Sequence, residues 1–274
     1  MDRMAGDVAP PEPLTVRTYG AQGPTVVVLH GGPGAPGFAA SLCRLMAPWY
    51  RVLEPLQRRA DATGLTVERH ICDLAAIAPE RATVVGHSWG AMLGLSYAAK
   101  HPERVGRLVL IGCGSYDLAS RAGYQDAMRE RLGPVGLEAI ARLERAMDAA
   151  EDPEAKDRIF GQIGALAQAA QSFDLLPDDD PSPLAADHRG HRQTWDDVKA
   201  RQRAGLEPAS FRAIRCPVSM LHGADDPHPG RATFDTLRRF IPQLRYAEFA
   251  RCGHEPWRER HAKDAFLDTL RQAV

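Results

Sequence analysis

The sequence lacks any long apolar run, and charge of neither sign is in excess. No segment approaches the roughly 18 uninterrupted apolar residues of a membrane-spanning helix. The first residues include Asp2, Asp7 and Glu12 and no apolar stretch, so they do not resemble a secretory signal. The 34 Lys and Arg residues oppose 35 Asp and Glu residues. We therefore expect neither a nucleic acid nor a membrane as a partner, since both favour a clustered basic face.

Cysteine is also scarce, and its spacing shows no disulfide or zinc pattern. An odd number of scattered cysteines without a C-x-x-C pair argues against a disulfide framework and against a structural zinc site. Free thiols in a reducing compartment are expected, and hence a cytoplasmic protein. The five cysteines are Cys43, Cys72, Cys113, Cys216 and Cys252.

The composition is that of an ordinary globular protein. Apolar residues make up 44% of the 274 residues and charged residues 25%, which excludes disorder for the chain as a whole. This length suits one large α/β domain or two small ones.

Short apolar runs alternate with helical patterns along most of the chain. Strands are predicted at 14–19, 26–29, 50–53, 83–85, 105–111, 218–221 and 244–249. Helices are predicted at 38–47, 66–78, 91–100 and 231–241, with a last one from about Arg258. This alternation predicts an α/β fold with a mostly parallel sheet that is covered by helices on both faces.

The alternation is interrupted between residues 115 and 214. This stretch is charged and rich in alanine, and it predicts several amphipathic helices, one of them at 137–149. We therefore expect an α/β core at 14–114 and 215–274. A helical cap at 115–214 is expected to be inserted after the strand at 105–111.

The sharpest chemical signal is GHSWG at 86–90. It follows the predicted strand at 83–85 and precedes the helix at 91–100, as a nucleophile elbow requires, the tight turn that presents a nucleophilic serine. Small residues two places before and after Ser88 let the strand and helix backbones approach each other. A glycine-flanked turn with an idle serine is the alternative. The setting predicts Ser88 as a nucleophile at the carboxyl end of the sheet.

A second glycine-rich segment, HGGPG at 30–34, follows the strand at 26–29. Glycines there leave backbone N–H groups available to bind an oxyanion. The predicted donors are the N–H groups of Gly32 and Trp89, the latter being the residue after the nucleophile. For His30 itself, a structural hydrogen-bonding role is favoured over that of a base.

Two more loops follow predicted strands and complete a catalytic set. A serine needs a base, and the base needs a carboxylate to orient it. His254 lies in a Gly-His-x-Pro loop after the last strand, and Asp226 follows the strand at 218–221. Asp226 is favoured over Asp225 because of its Gly-x-x-Asp spacing, and Asp117 is a fallback. The order Ser88, Asp226, His254 differs from the trypsin-like and subtilisin-like orders.

HGGPG together with GHSWG resembles the proline iminopeptidase and esterase branch of the α/β-hydrolase superfamily. The resemblance covers 14–114 and 215–272, whereas the helical stretch is similar only to a generic lid. It implies an α/β-hydrolase fold and a serine hydrolase that needs no metal or organic cofactor. Two features differ from that branch: the segment 54–60 has no glycine, and His87 stands where iminopeptidases commonly carry glycine.

Weaker groupings leave alternatives open. A metal site is conceivable at His222 to His228, or at His188 and His191, but neither set has ligands four residues apart on a predicted helix. A solvated loop is preferred over a site for a substrate ammonium group at 178–180. A thiol nucleophile at Cys252 has no elbow around it. Candidates for an apolar acyl pocket are Tyr116, Phe173, Trp195 and Trp257.

The resulting prediction is a carboxylesterase-type serine hydrolase that acts on a small, largely uncharged ester or amide as its only partner. A proline-iminopeptidase-like aminopeptidase is the first alternative. A non-catalytic ligand-binding protein on the same fold is the second, and carbon–carbon bond hydrolysis and perhydrolysis also remain open. The sequence does not define the pocket residues or the oligomeric state.

Overall fold

A seven-stranded β-sheet forms the centre of the molecule in the computed structural model, which describes residues 13–178 and 184–274. In chain order its strands are β1 (Val16–Tyr19), β2 (Thr25–Leu29), β3 (Arg51–Pro55), β4 (Ala82–His87), β5 (Val105–Ile111), β6 (Val218–Gly223) and β7 (Leu244–Phe249). Their order across the sheet is β1-β3-β2-β4-β5-β6-β7. Only β1 and β3 pair antiparallel. The predicted mostly parallel sheet is thus confirmed.

Eight α-helices surround this sheet in the described ranges. They are α1 (Ala40–Met46), α2 (Val67–Ile77), α3 (Trp89–Lys100), α4 (Leu118–Ala149), α5 (Pro153–Gln171), α6 (His188–Arg203), α7 (Gly230–Leu237) and α8 (Lys263–Ala273). None of them is long and apolar enough to cross a membrane.

Helices pack on both faces of the sheet because successive strand side chains point to opposite sides. On β2, Val27 belongs to a buried cluster that includes Ile71 of α2. Its neighbour Val28 belongs to a second cluster that includes Phe266 of α8. Both valines are fully buried, as expected for a central strand covered on both sides.

Three helices, α4 to α6, lie between β5 and β6, where the sequence predicts helices and no strand. They are far less buried than the rest of the molecule. Only Ser120 and Met128 of α4 are buried, and no residue of α5 is. Gly133 adopts a positive φ of 58° just before Pro134, and this divides α4 by a kink.

The helix predicted at 137–149 is the part of α4 that follows its kink at Gly133. Outside residues 115–214, most element boundaries differ from the predictions by a few residues, and the largest difference concerns the last helix. It begins at Lys263 and not at about Arg258. The reason is a tertiary contact of Glu259, whose buried carboxylate accepts hydrogen bonds from the backbone N–H groups of Phe173, Asp174 and Gly253. Glu259 is held in an extended conformation by these bonds, which local helix propensity does not reveal.

Candidate active site

Ser88 lies at the tip of a strained turn between β4 and α3. Its φ of 55° and ψ of −118° are unusual for a residue other than glycine. The backbones around it are too close for side chains: a Cβ atom built on Gly86 would lie 2.2 Å from the carbonyl oxygen of Gly90. One built on Gly90 would lie 2.3 Å from the carbonyl oxygen of Leu29. The two flanking glycines are therefore required by packing.

His254 and Asp226 form a buried pair on the loops that follow β7 and β6. The imidazole Nδ1 lies 2.6 Å from the Asp226 Oδ2 atom, so Nδ1–H donates to the carboxylate. The other carboxylate oxygen accepts the backbone N–H of His228 at 2.8 Å. The backbone N–H of His254 donates to the carbonyl oxygen of Gln171 at 3.0 Å, at the end of α5. The imidazole is thus fixed in position and tautomer.

Ser88 and His254 line the same cavity. Among the described residues, the Ser88 hydroxyl and the His254 Nε2 atom form no hydrogen bond. Catalytic hydrogen bonds are frequently long before a substrate binds, so this arrangement is compatible with proton transfer between the two groups. The rings of His254 and His87 lie 4.6 Å apart, which places the imidazole directly beside the residue that precedes Ser88.

The electrostatics of the pair favour an ionised carboxylate beside a basic imidazole. Burial lowers the pKa of His254, but the Asp226 charge and hydrogen bond, together with Glu255, outweigh burial and raise the pKa above its usual 6.5. Burial raises the pKa of Asp226, but the imidazoles of His254, His228 and His222 outweigh it and keep the pKa well below its ordinary value. His254 is thus the better base of this cluster, because burial lowers the pKa of His228 to about 3.

The two backbone N–H groups predicted as oxyanion donors lie on segments that flank the Ser88 turn. Gly32 has a positive φ of 113°, and a Cβ atom built on its neighbour Gly31 would lie 3.1 Å from the Ser88 Cβ atom. Trp89 is the first residue of α3, so its N–H has no acceptor within the helix. Both residues line the cavity beside Ser88.

Gln57, which the sequence does not single out, connects these two segments. Its side-chain oxygen accepts the Trp89 Nε1–H at 2.7 Å, and its Nε2 donates to the carbonyl oxygen of His30 at 2.9 Å. Its backbone N–H donates to the His30 Nε2 atom at 3.2 Å, and His30 Nδ1–H donates to the carbonyl oxygen of Gly31 at 2.8 Å. Burial lowers the pKa of His30 to about 4, which keeps this imidazole neutral and able to accept.

The competing acids and the competing nucleophile have other contacts. Asp225 accepts the backbone N–H of Cys252 at 3.1 Å, and Asp117 caps α4 by accepting the backbone N–H of Ser120 at 2.8 Å. The Cys252 thiol is buried, and burial raises its pKa well above the usual range. A neutral thiol is a weak nucleophile.

The cavity above Ser88 has a volume of about 900 Å³ and lies between the sheet and helices α4 to α6. Of the four aromatic residues predicted to line it, Trp195 does so. Trp257 is instead buried in the core, where its Nε1–H donates to Ser41 at 3.0 Å. Tyr116 packs on Phe211, with ring centroids 5.2 Å apart. Phe173, 46% exposed, packs outside the cavity.

Helix α6 contacts the glycine-rich loop directly. His191 Nδ1–H donates to the carbonyl oxygen of Pro33 at 2.8 Å. The backbone N–H of Asp187, the residue before α6, donates to the carbonyl oxygen of Gly34 at 2.8 Å. His222 donates to the carbonyl oxygen of His228 at 2.9 Å. In the described ranges, no group of three or more His, Cys, Asp or Glu side chains is arranged to hold a metal ion.

A family model described as the alpha/beta hydrolase fold matches residues 67–257. The match covers well over half of the chain, so the chain belongs to the α/β-hydrolase family, as its motifs indicate. It is an enzyme of the hydrolase class.

Three known proteins illustrate the similarity. The chain is 30% identical over 247 residues to the pimeloyl-acyl-carrier-protein methyl ester esterase of Aromatoleum aromaticum, covering 85% of this chain and 92% of that protein. It is 29% identical over 262 residues to a 2-hydroxymuconate semialdehyde hydrolase of Pseudomonas sp., covering 90% and 86%. The crystal structure of the Mycobacterium smegmatis proline iminopeptidase superposes with a TM-score of 0.58 at 20% identity, covering 94% of this chain and 92% of that one. This last likeness concerns the fold alone.

Proposed function

We propose that this protein is a serine hydrolase that cleaves a small ester through an acyl-enzyme intermediate, with Ser88, Asp226 and His254 as its catalytic triad. The observation that carries the proposal is the 2.6 Å contact between His254 Nδ1 and Asp226 Oδ2, in the cavity that also holds the strained Ser88 turn. An oriented imidazole beside a serine hydroxyl supplies a base for an otherwise weak nucleophile.

In the acylation half, His254 Nε2 removes the Ser88 proton while Ser88 Oγ attacks the ester carbonyl carbon. The oxyanion that forms accepts hydrogen bonds from the N–H groups of Gly32 and Trp89. Each such donor contributes about 3 kcal/mol to stabilising the transition state in comparable enzymes. Collapse of the intermediate expels the alcohol, which takes its proton from His254.

In the second half, His254 removes a proton from a water molecule that attacks the acyl-enzyme carbonyl carbon. The same two N–H groups hold the second oxyanion. The bond to Ser88 Oγ breaks, His254 returns the proton to that oxygen, and the carboxylic acid leaves. Asp226 stays ionised throughout and stabilises the imidazolium in both halves, in accordance with its strongly lowered pKa.

The ester assignment is preferred over the aminopeptidase alternative because of the cavity's charges. An aminopeptidase needs a free carboxylate to hold a substrate amine. The two described carboxylates at the cavity are both engaged: Asp178 lies 3.4 Å from Arg44, and Glu255 lies 3.0 Å from Arg258. The similarity to an enzyme named as a methyl ester esterase also supports an ester substrate.

We further propose that residues 115–214 act as a cap over a core formed by 14–114 and 215–274. The cavity supports this division, since α4, α5 and α6 contribute Tyr124, Phe160 and Trp195 to its wall opposite Ser88. A cytoplasmic location is proposed from the five cysteines, all of which are free thiols.

Labelling with a fluorophosphonate probe tests the nucleophile directly. The wild-type protein should be labelled, and Ser88→Ala should not. Ser115→Ala is the matched control, since Ser115 lines the same cavity and its loss should leave labelling intact. Labelling of the Ser88→Ala variant would contradict the proposal.

A parallel assay with p-nitrophenyl butyrate and proline p-nitroanilide separates the two hydrolase types. The ester should be the better substrate. Ser88→Ala should lower kcat by a factor on the order of 10⁶, with the melting temperature nearly unchanged. Preferred cleavage of the anilide would replace the esterase assignment with the aminopeptidase.

A further inference from the structure

The cavity wall contains five charged side chains within the described residues, and four of them have partners of opposite charge. Glu255 pairs with Arg258 at 3.0 Å, and both belong to the wall. Asp178 pairs with Arg44 at 3.4 Å. Lys199 pairs with Asp196 at 3.3 Å. The fifth is Arg121, which has no carboxylate partner in the described ranges.

Arg121 is held in place without being neutralised. It lies in the first turn of α4, is partly buried, and donates a hydrogen bond to the side-chain oxygen of Gln202 on α6. A neutral amide uses one of the five N–H donors of a guanidinium and leaves its full positive charge. This charge therefore faces a cavity whose other ionic groups are compensated.

The acidic residues that neighbour Arg121 and Gln202 in the chain are engaged elsewhere. Asp117 accepts hydrogen bonds from Ser120 and from Thr236, at 2.8 and 3.3 Å. Glu207 is buried and pairs with Arg201 at 3.0 Å. Neither is bonded to Arg121, so an anion from outside the chain is the complement that this site lacks.

We propose that the substrate is an ester carrying a carboxylate, and that Arg121 binds this carboxylate. The inference rests on the proposed esterase function and replaces the sequence-based expectation of a largely uncharged substrate. A planar guanidinium matches a carboxylate through two parallel hydrogen bonds, which gives orientation as well as affinity. Hydrolysis adds water across the ester bond, the oxygen going to the acyl carbon and a proton to the departing alcohol.

The position of Arg121 sets an approximate spacing between the ester and the carboxylate. The centroid of the Trp195 ring lies 6.4 Å from that of Trp89, the residue after Ser88 in the chain. Arg121 contacts Gln202, seven residues after Trp195 on α6. Seven residues span roughly 10 Å of helix. We therefore expect several bonds between the scissile carbonyl and the carboxylate, as in the half-esters of medium-length dicarboxylic acids.

Matched ester pairs test this inference. In the first arm, the mono-p-nitrophenyl ester of adipic acid is compared with p-nitrophenyl hexanoate, so that the carboxylate lies in the acyl half. In the second, 4-carboxyphenyl butyrate is compared with phenyl butyrate, so that it lies in the leaving group. The wild-type protein should prefer the acid in one arm by about tenfold or more in kcat/KM, the usual effect of a charged hydrogen bond.

Arg121→Gln should abolish this preference, and Arg121→Lys should retain part of it. Arg129→Gln is the control: Arg129 lies on the same helix, is exposed and pairs with Asp126 outside the cavity, so its loss should leave the acid-to-neutral ratio unchanged. Absence of an acid preference in both arms of the wild-type assay, or its persistence in Arg121→Gln, would overturn the inference.

One measurement needs no variant and so does not depend on the folding of Arg121→Gln. The monoamide of adipic acid, which keeps one carboxylate, should inhibit hydrolysis of p-nitrophenyl butyrate by the wild-type protein at least tenfold more strongly than the uncharged adipamide does, and equal inhibition would contradict the inference. Failure of the proposed function itself is recognised separately, because Ser88→Ala would then hydrolyse the neutral ester at the wild-type rate.

Discussion

The sheet core and the inserted helices enclose the same cavity from opposite sides, but the core is packed much more closely than the inserted helices. In the core, ten of the twelve residues of α3 are buried, and the Gly86 and Gly90 backbones approach their neighbours too closely for any side chain. In the insertion, α5 has no buried residue and α4 has two. Close packing restrains atoms far more than a half-exposed helix surface does.

This difference separates the proposed chemistry from the proposed specificity. The proposed nucleophile, base, acid and two N–H donors all lie at the carboxyl ends of core strands, where small displacements are costly. The residues that face the ligand from the insertion are less restrained. Substitutions in the core should therefore lower kcat, whereas substitutions in α4 to α6 should mainly alter KM.

After Ser88→Ala, the largest expected effect in the core is that of Asp226→Asn. An amide cannot carry the charge that stabilises the His254 imidazolium, and it allows the wrong imidazole tautomer. We expect kcat for p-nitrophenyl butyrate to fall by about 10⁴. Asp225→Asn is the matched variant: Asp225 is the adjacent carboxylate and bonds only backbone in this loop, so its effect on kcat should be within a few-fold. A larger loss for Asp225→Asn would reverse the assignment of the acid.

The pH dependence of kcat/KM tests the His254–Asp226 pair, because it depends on the pKa of His254. The base acts only when deprotonated, and the pKa of His254 is raised above 6.5, so activity should be full above this raised pKa and fall as the pH drops through it. The loss should approach tenfold per pH unit, hence about 100-fold two units below the pKa. A rate that stays constant between pH 5 and 8 would exclude His254 as the base.

Sequence patterns predict the core well because its signals are local. The Ser88 turn requires a strand, two glycines and a helix within about fifteen residues, and all of these are consecutive. The last helix is misplaced because Glu259 contacts Phe173 and Asp174, which are 86 and 85 residues away and which no local pattern connects to it. The fold class follows from periodicity, but a boundary set by a distant contact does not.

The wall of the cavity is harder to predict for a related reason. Trp195 and Trp257 are equally plausible lining residues by type, and only the packing of α6 against the core separates them. The role of Gln57 is equally hard to predict from the sequence, because its partners His30 and Trp89 are 27 and 32 residues away. No short motif marks such a contact. Two of the three acidic residues at 178–180 lie outside the described residues.

Gln57→Leu tests whether the core supports the oxyanion donors through hydrogen bonds. The change removes the bonds to Trp89 Nε1 and to the His30 carbonyl, and so loosens both donor segments. We expect the poorer positioning of the N–H donors to cost about as much free energy as one buried hydrogen bond. This should lower kcat roughly tenfold, with KM little changed. Gln243→Leu is the control, since its amide also takes part in two hydrogen bonds, both donated to the backbone carbonyls of Ile214 and Cys216, but far from Ser88 in the chain.

Both glutamine variants should lower the melting temperature, because each loses two side-chain hydrogen bonds. Only Gln57→Leu should lower kcat. Equal kcat values for the two variants would show that the Gln57 contacts contribute to stability alone, and the core would then position its N–H donors without this side chain.

The smallest effect is expected from Phe160→Ala on the insertion side. Phe160 lies on α5, lines the cavity and packs on His191, with ring centroids 4.7 Å apart. Removing an aromatic contact with a ligand costs about 1 kcal/mol, so KM for p-nitrophenyl butyrate should rise about fivefold. Because α5 buries no residue, the melting temperature should change little. Phe173→Ala is the control, and because Phe173 lies outside the cavity, KM should stay unchanged. If Phe160→Ala lowered kcat as much as Gln57→Leu does, α5 would help to position the catalytic groups.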